Sequence, residues 1–225
     1  MIHVIIQNRI IIIIAIVMKK LHDSALSVCQ EAMAILRQEQ RLVSITPDAG
    51  SKVERACYAA YERSRLEVLA SFGWSFNKED IRVRNGGREM EDGRYRIAYP
   101  ATALKVLGCY DADGHKVPFT VRQNKYIYSL EPIHRITYIF DEEDMTLLPA
   151  LVRKAVVYTL AKNLAMEITG RANDAQLVEL QCKAAVQEAR TDDARLGTTG
   201  SSVYGKNYIY ECMCGRRNPF RKRGL

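Results

Sequence analysis

The N-terminal third of the chain repeats apolar residues at the spacing of an amphipathic helix. One stripe runs through residues 21–43, and the turn-forming residues 46–50, which include Pro47 and Gly50, interrupt it. A second stripe follows Ser51, and Glu54 lies three residues further on, which is the spacing of a capping box. The pattern predicts two helices, the second of which ends near Gly73.

The middle of the chain changes to alternation of apolar and polar residues, which is typical of strands. Short alternating runs recur between Trp74 and Phe140, and Gly-containing turns such as Asn85-Gly86-Gly87 separate them. We therefore predict an antiparallel sheet or small barrel over residues 76–140.

Helical spacing returns after this region. A third helix is predicted to start near Pro149 and end at Gly170, and a fourth to cover residues 174–194. The apolar positions of the fourth helix include Leu177, Leu180, Ala184 and Ala189.

Two isolated helix pairs bury too little apolar surface to be stable, so we expect them to pack together. The predicted fold class is α+β, with a helical bundle from the N- and C-terminal helix pairs (18–75 and 141–196), an inserted antiparallel β domain (76–140) and an extended C-terminal tail (197–225).

An apolar run that includes five consecutive isoleucines extends from Ile10 to Met18. Whether residues 1–17 belong to the native protein is open. The nine apolar residues from Ile10 to Met18 would span about 13.5 Å as a helix, which is short of the roughly 30 Å of a bilayer core. Met18-Lys19-Lys20 is similar to an ordinary start, so we interpret residues 1–17 as an upstream extension of the reading frame. The alternatives are an additional β-strand, favoured by β-branching, and a weak membrane anchor.

Charge is concentrated at the two ends of the chain. The net charge is +7; residues 1–20 carry three cations and no acid, and residues 197–225 carry six cations and one acid, which leaves −1 for residues 21–196. A neutral body argues against a broad nucleic-acid-binding face and directs attention to the tail. The tail interleaves aromatic and basic side chains, which suit either a protein interface or a nucleic-acid backbone. Its candidate anchors are Tyr204, Tyr208, Tyr210, Arg216, Arg217, Phe220, Arg221, Lys222 and Arg223.

Motifs for catalysis or metal binding are weak. The four acids at 141–144 could serve a metal-dependent hydrolase, but acids before a helix more commonly stabilise its N-terminus. Cys212 and Cys214 are at most half of a zinc site, and His115 and His134 are interpreted as a turn residue and a strand residue without a ligand role. Reduced, buried thiols are expected for the other cysteines. No cofactor and no enzymatic activity are predicted.

Four segments, in order, resemble the tail tubular protein A family, the head-to-tail adaptors of short-tailed bacteriophages. Residues 71–79 are similar to its Gly-Trp-x-Phe-Asn signature, and residues 92–100 to its strand ending in proline. Residues 125–128 are similar to a segment in which the family often has aspartate where this chain has Ser129. Residues 140–149 are similar to its Phe-x-Asp-Leu-Pro stretch, with extra residues inserted before Leu148.

The resemblance implies a structural virion protein. It implies a homo-oligomeric ring, dodecameric by analogy with the family, between the portal protein and the tail nozzle protein, located in the virion neck and assembled in the host cytoplasm. DNA would pass through the lumen without sequence-specific contact, and no membrane would be involved. In this interpretation the tail residues above dock onto the portal. The alternative is a nucleic-acid-binding module that acts through the same basic tail.

Overall fold

In the described part of the chain, two helix pairs flank eight β-strands. The computed structural model describes the backbone of residues 2–213 and the side chains of residues 18–196. The helices are α1 (Ile2–Ile35), α2 (Lys52–Ser71), α3 (Ala150–Thr169) and α4 (Ala172–Met213). The strands are β1 (Lys78–Arg82), β2 (Arg88–Glu89), β3 (Tyr95–Ala98), β4 (Ala103–Tyr110), β5 (Lys116–Val117), β6 (Phe119–Arg122), β7 (Tyr126–Ser129) and β8 (Arg135–Phe140). The predicted α+β fold class is confirmed.

The helices share one core, although the whole β region separates the two pairs along the chain. Val28 of α1, Leu69 of α2 and Leu160 of α3 are fully buried in this core, and Val178 of α4 is 5% exposed. Because a single helix pair cannot bury its apolar stripes alone, the two pairs bury these stripes against each other. The predicted helical bundle is thus formed by the first and last thirds of the chain.

Helix α1 ends eight residues before the predicted boundary at Val43. Arg37 adopts the left-handed conformation, with φ of 55°. The amide of Arg37 donates to the carbonyl of Ala34 at 3.0 Å, and the amide of Gln38 donates to the carbonyl of Met33 at 3.0 Å. These two bonds form a Schellman motif, in which glycine usually occupies the left-handed position. The sequence has no glycine at this position, so the hydrophobic pattern predicted an end of α1 that is too far along the chain.

Helix α2 begins where the sequence predicts. Ser51 is its N-cap, and its hydroxyl accepts a hydrogen bond from the amide of Val53 at 3.2 Å. Glu54 is buried and accepts from the amides of Val43 and Ser44, at 2.8 and 3.3 Å. These hydrogen bonds lower the pKa of Glu54. The capping glutamate therefore also fixes the loop that connects α1 to α2.

Residues 2–17 form the first part of the α1 backbone, so the alternative of an additional strand is wrong. Isoleucine has only a slightly unfavourable helix propensity, and the packed part of α1 supplies a nucleus from which the helix can propagate. Within the described part of the chain, no helix is long and apolar enough to cross a membrane.

Helix α4 continues through Met213. The predicted end of this helix near Ala194 and the predicted extended tail from Gly197 are therefore wrong for residues 197–213. Residues 197–213 therefore have a helical backbone, and residues 214–225 lie outside the described residues. The glycines in this segment each cost about 1 kcal/mol in a helix, but no proline interrupts it. A helix already stabilised by packing can propagate through such residues.

The eight strands form two antiparallel four-stranded sheets. The first sheet has the order β1-β8-β4-β5 and the second the order β2-β3-β7-β6. Ile136 and Cys109 of the first sheet share a buried apolar core with Ile97 and Ile127 of the second. Pro118 separates β5 from β6, because proline cannot donate a ladder hydrogen bond. This core is distinct from the core of the helical bundle.

The segment between α2 and β1 joins the bundle to the sheets. Trp74 is fully buried in the bundle core, and its indole nitrogen donates to the carbonyl of Val68 at 3.0 Å. Asp193 of α4 accepts from the amide and the hydroxyl of Ser75, at 2.9 and 2.6 Å. The amide nitrogen of the Asn77 side chain donates to the carbonyl of Phe140 at 3.2 Å. The tryptophan-containing motif is therefore a structural junction in this chain.

Candidate functional site

The predicted docking residues of the tail fall mostly outside the described part of the chain. Tyr204, Tyr208 and Tyr210 lie on the helical backbone of α4, and their side chains are outside the described set. The remaining anchors follow Met213 and are also outside it; they are Arg216, Arg217, Phe220, Arg221, Lys222 and Arg223. The docking role of all nine residues stays a prediction.

The first acid of the 141–144 cluster is an ion-pair partner. Asp141 accepts two hydrogen bonds from the guanidinium of Arg65, one of them, from Nη2, at 3.1 Å. Nη1 of Arg65 also donates to the carbonyl of Glu142 at 2.7 Å, and the residue is only 1% exposed. Because Arg65 belongs to α2 and Asp141 follows β8, this pair ties the helical bundle to the end of the first sheet. Burial lowers the pKa of Arg65, but the hydrogen bonds and ion pairs with Asp141 and Glu62 outweigh it and raise this pKa.

The last acid of the cluster is held in a second set of contacts. Asp144 is 7% exposed and lies 2.7 Å from Nζ of Lys20 on α1. Its carboxylate also accepts from the amide and hydroxyl of Thr146, at 2.9 and 2.6 Å. Burial would raise the pKa of Asp144, but the bonds from Lys20 and Thr146 outweigh it and lower this pKa.

These contacts correct the interpretation that the cluster stabilises the N-terminus of α3. The helix begins at Ala150 after Pro149, and its first turn contains no acid. Asp141 and Asp144 instead bind cationic side chains from α2 and α1. The sequence could not reveal this, because both partners lie in the N-terminal helix pair, far from the cluster along the chain.

A small polar group in the turn between β4 and β5 was not predicted. Ligand atoms of Asp111, Asp113 and His115 lie within 4.8 Å of one another. Asp111 accepts from the backbone amides of Asp113 and His115, at 3.0 and 2.8 Å, and its other oxygen lies 3.3 Å from Nδ1 of His115. The hydrogen bonds are those of an aspartate-stabilised turn, which accounts for the cluster without a ligand.

The cysteines with described side chains are buried free thiols, as predicted. Cys29 of α1 and Cys57 of α2 are both fully buried and contact each other across the bundle. A hydrogen bond with Cys57, together with burial, raises the pKa of Cys29. Cys212 and Cys214 fall outside the described side chains, so the structure does not test a metal role for them.

Helix α4 carries two apolar stripes, and of the four apolar residues named from the sequence only Ala189 lies on the buried one. The buried stripe consists of Val178, Cys182, Ala185 and Ala189. Leu177 and Leu180 are 51% and 65% exposed, and Ala184 is exposed as well. We call Leu177, Leu180 and Ala184 the outer α4 stripe. Both stripes have helical spacing, so periodicity alone could not show which of them α3 covers.

The outer α4 stripe borders a groove at one end of the bundle. Leu177 lines this groove together with Ile35 and Leu36 from the end of α1. Met166 of α3, in the last turn before Gly170, is 59% exposed. The groove is therefore lined by apolar side chains from the end of α1 and from α4, near the α3–α4 connection.

No family model matches the chain, and no curated protein matches it.

Proposed function

We propose that this chain is a non-enzymatic structural subunit of a head-to-tail adaptor ring, which joins a portal to a tail nozzle around a DNA channel. The sequence resemblance in four ordered segments supports this function. The arrangement of two packed helix pairs around an inserted antiparallel β region is compatible with it.

The outer α4 stripe carries the proposal. Fully burying a leucine contributes about 1.5–3 kcal/mol, so Leu177 and Leu180, which are 51% and 65% exposed, leave roughly half of that unused in the isolated chain. The apolar core of an oligomer interface is built from such side chains. A ring needs side-to-side surfaces that close by rotation, and this stripe supplies one of them.

The first experiment tests the stripe. The double variant Leu177→Asp/Leu180→Asp should stay folded with a thermal midpoint somewhat below that of the wild type, because both side chains are partly buried in the isolated chain and aspartate favours a helix less than leucine, but should fail to form rings on the portal in negative-stain images. Leu130→Asp is the matched control, since Leu130 is 78% exposed between β7 and β8. Normal rings from the double variant would contradict a role for this stripe.

The second experiment tests the tail. Deleting residues 203–225 should abolish capture by immobilised portal, because it removes all nine predicted anchors. The body should remain folded, since Asp193 is the last residue of α4 that is buried among the described side chains. Retained capture by a folded truncated protein would overturn portal docking through the tail.

A further inference from the structure

The outer face of the second sheet displays arginine and tyrosine side chains. Ile97 of β3 and Ile127 of β7 point into the core between the sheets. Since side chains alternate along a strand, their neighbours point outward. The outward set, here called the Arg–Tyr face, consists of Arg88, Arg94, Arg96, Arg122, Tyr126 and Tyr128.

Strand register aligns these residues into adjacent rows. Arg96 on β3 lies opposite Arg88 on β2 and opposite Tyr128 on β7. Tyr126 on β7 lies opposite Arg122 on β6. The two tyrosines of β7 therefore have arginines on both neighbouring strands, β3 and β6, and a further arginine lies on β2.

The guanidinium groups stack over the tyrosine rings. Arg96 lies 4.8 Å from the centre of the Tyr126 ring. Arg122 and Arg94 lie 5.2 and 5.7 Å from the centre of the Tyr128 ring. A guanidinium that uses its face for stacking keeps its N–H edges for other acceptors, and stacking reduces the conformational freedom that binding must remove.

Most of this positive charge is not neutralised within the sheet. Arg94 is paired with Asp92 in the β2–β3 turn. Among the described residues, Arg88, Arg96 and Arg122 have no carboxylate within ion-pair distance. Glu89, Glu91 and Asp92 line the same surface pocket as Arg88 and Arg96, but none of these acids is within ion-pair distance of either arginine.

The pairing of Arg88 with Arg96 favours an anionic ligand. Like charges directly opposite on neighbouring strands are destabilising. A bound anion between the two guanidiniums would remove this repulsion, and arginine forks match phosphate geometry. We therefore expect phosphate groups to bind between these two arginines.

We propose that the Arg–Tyr face binds the phosphate backbone of double-stranded DNA without reading its sequence. A guanidinium lies over each tyrosine ring and competes with unpaired bases for the ring face, which is the main contact with single strands, although Tyr126 stays 38% exposed. Arg88 and Arg122 lie three strand spacings apart, roughly 15 Å, which is comparable to the roughly 12 Å width of the major groove. The outer arginines can thus reach phosphates on the two edges of that groove. This proposal does not rest on the adaptor function, because the isolated full-length chain tests it.

Fluorescence anisotropy with a labelled 20-base-pair duplex, at three salt concentrations between about 50 and 200 mM, measures the interaction. Arg88→Gln/Arg96→Gln/Arg122→Gln should weaken binding at least tenfold. It should also flatten the dependence of log K on log salt by about 0.9 for each phosphate that the variant no longer neutralises. Arg41→Gln/Arg63→Gln/Arg171→Gln is the matched control, because these three arginines are exposed on the helical part of the chain, and its affinity should stay within twofold of the wild type.

Further measurements keep the result interpretable. Arg122→Gln alone changes only an edge strand, so it supplies a folded variant if the triple variant unfolds, and it should weaken binding several-fold. Arg216→Gln/Arg217→Gln/Arg221→Gln removes charge from the tail instead. The proposal would be overturned if the sheet variants kept the affinity and salt slope of the wild type and only the tail variant bound DNA more weakly. Tighter binding of a 20-nucleotide single strand, or equal binding of polyglutamate, would also overturn it, because the face would then recognise unpaired bases or acidic polypeptide.

Discussion

The contact between Arg65 and Asp141 predicts a large loss of stability on Arg65→Met. Removing one partner of a buried ion pair costs about 3–5 kcal/mol, mainly because the other charge is left without compensation. The side chain of Arg65 is 2% exposed, but that of Asp141 is 26% exposed and can regain some water. We therefore expect a decrease of about 2–3 kcal/mol in the free energy of unfolding. For a protein of this size the thermal midpoint should fall by about 4–12 °C.

Urea denaturation followed by circular dichroism measures this decrease. The matched control is Arg153→Met, because Arg153 also pairs with a carboxylate, that of Glu31 at 2.6 Å, but both side chains are substantially exposed, at 27% and 47%. Exposed pairs contribute at most about 1 kcal/mol. If Arg65→Met costs no more than Arg153→Met, the inference that this buried pair ties the bundle to the first sheet is refuted.

Two further predictions concern a glycine and an acid. Gly87→Ala should destabilise the protein by roughly 1–3 kcal/mol more than Gly114→Ala. Both glycines have positive φ, 98° and 89°, so the backbone strain is similar in the two variants. The added Cβ at position 87 would lie 2.6 Å from Cγ1 of Ile97, whereas no atom lies within 4 Å of a Cβ at position 114. Equal losses of stability in thermal denaturation would contradict the steric argument. Asp144 has a lowered pKa in the folded state, so it contributes stability above its unfolded pKa, near 4, and this stability disappears as pH falls through the folded value. The unfolding free energies of the wild type and Asp144→Asn, measured in urea at pH 6, 4 and 3, should therefore converge as the pH falls, and parallel curves would contradict this.

Local patterns predicted most of the elements. The β region predicted over 76–140 contains the described strands from β1 to β8, and Ser51 became the N-cap of α2. Both depend on interactions within a few residues, since strand alternation and capping are short-range properties. The end of α1 was misplaced because Arg37 adopts a left-handed conformation that sequence usually signals by glycine.

The candidate surfaces depended on partners that are distant along the chain. The outer α4 stripe has the same periodicity as the buried one, and only the position of α3 decides which stripe is covered. The Arg–Tyr face was missed because its arginines are spread over residues 88–122 within a body that is nearly neutral overall, and strand pairing gathers them on one side of a sheet.

The sequence by itself determined the succession of helices and strands, the cap of α2 and the antiparallel character of the middle region, because each follows from interactions between near neighbours. Only the tertiary structure decided which apolar stripe is exposed, which cations neutralise Asp141 and Asp144, and which side chains share the outer face of the second sheet. Those outcomes depend on the packing of segments far apart along the chain, and hydrophobic periodicity carries no information about the identity of a distant partner.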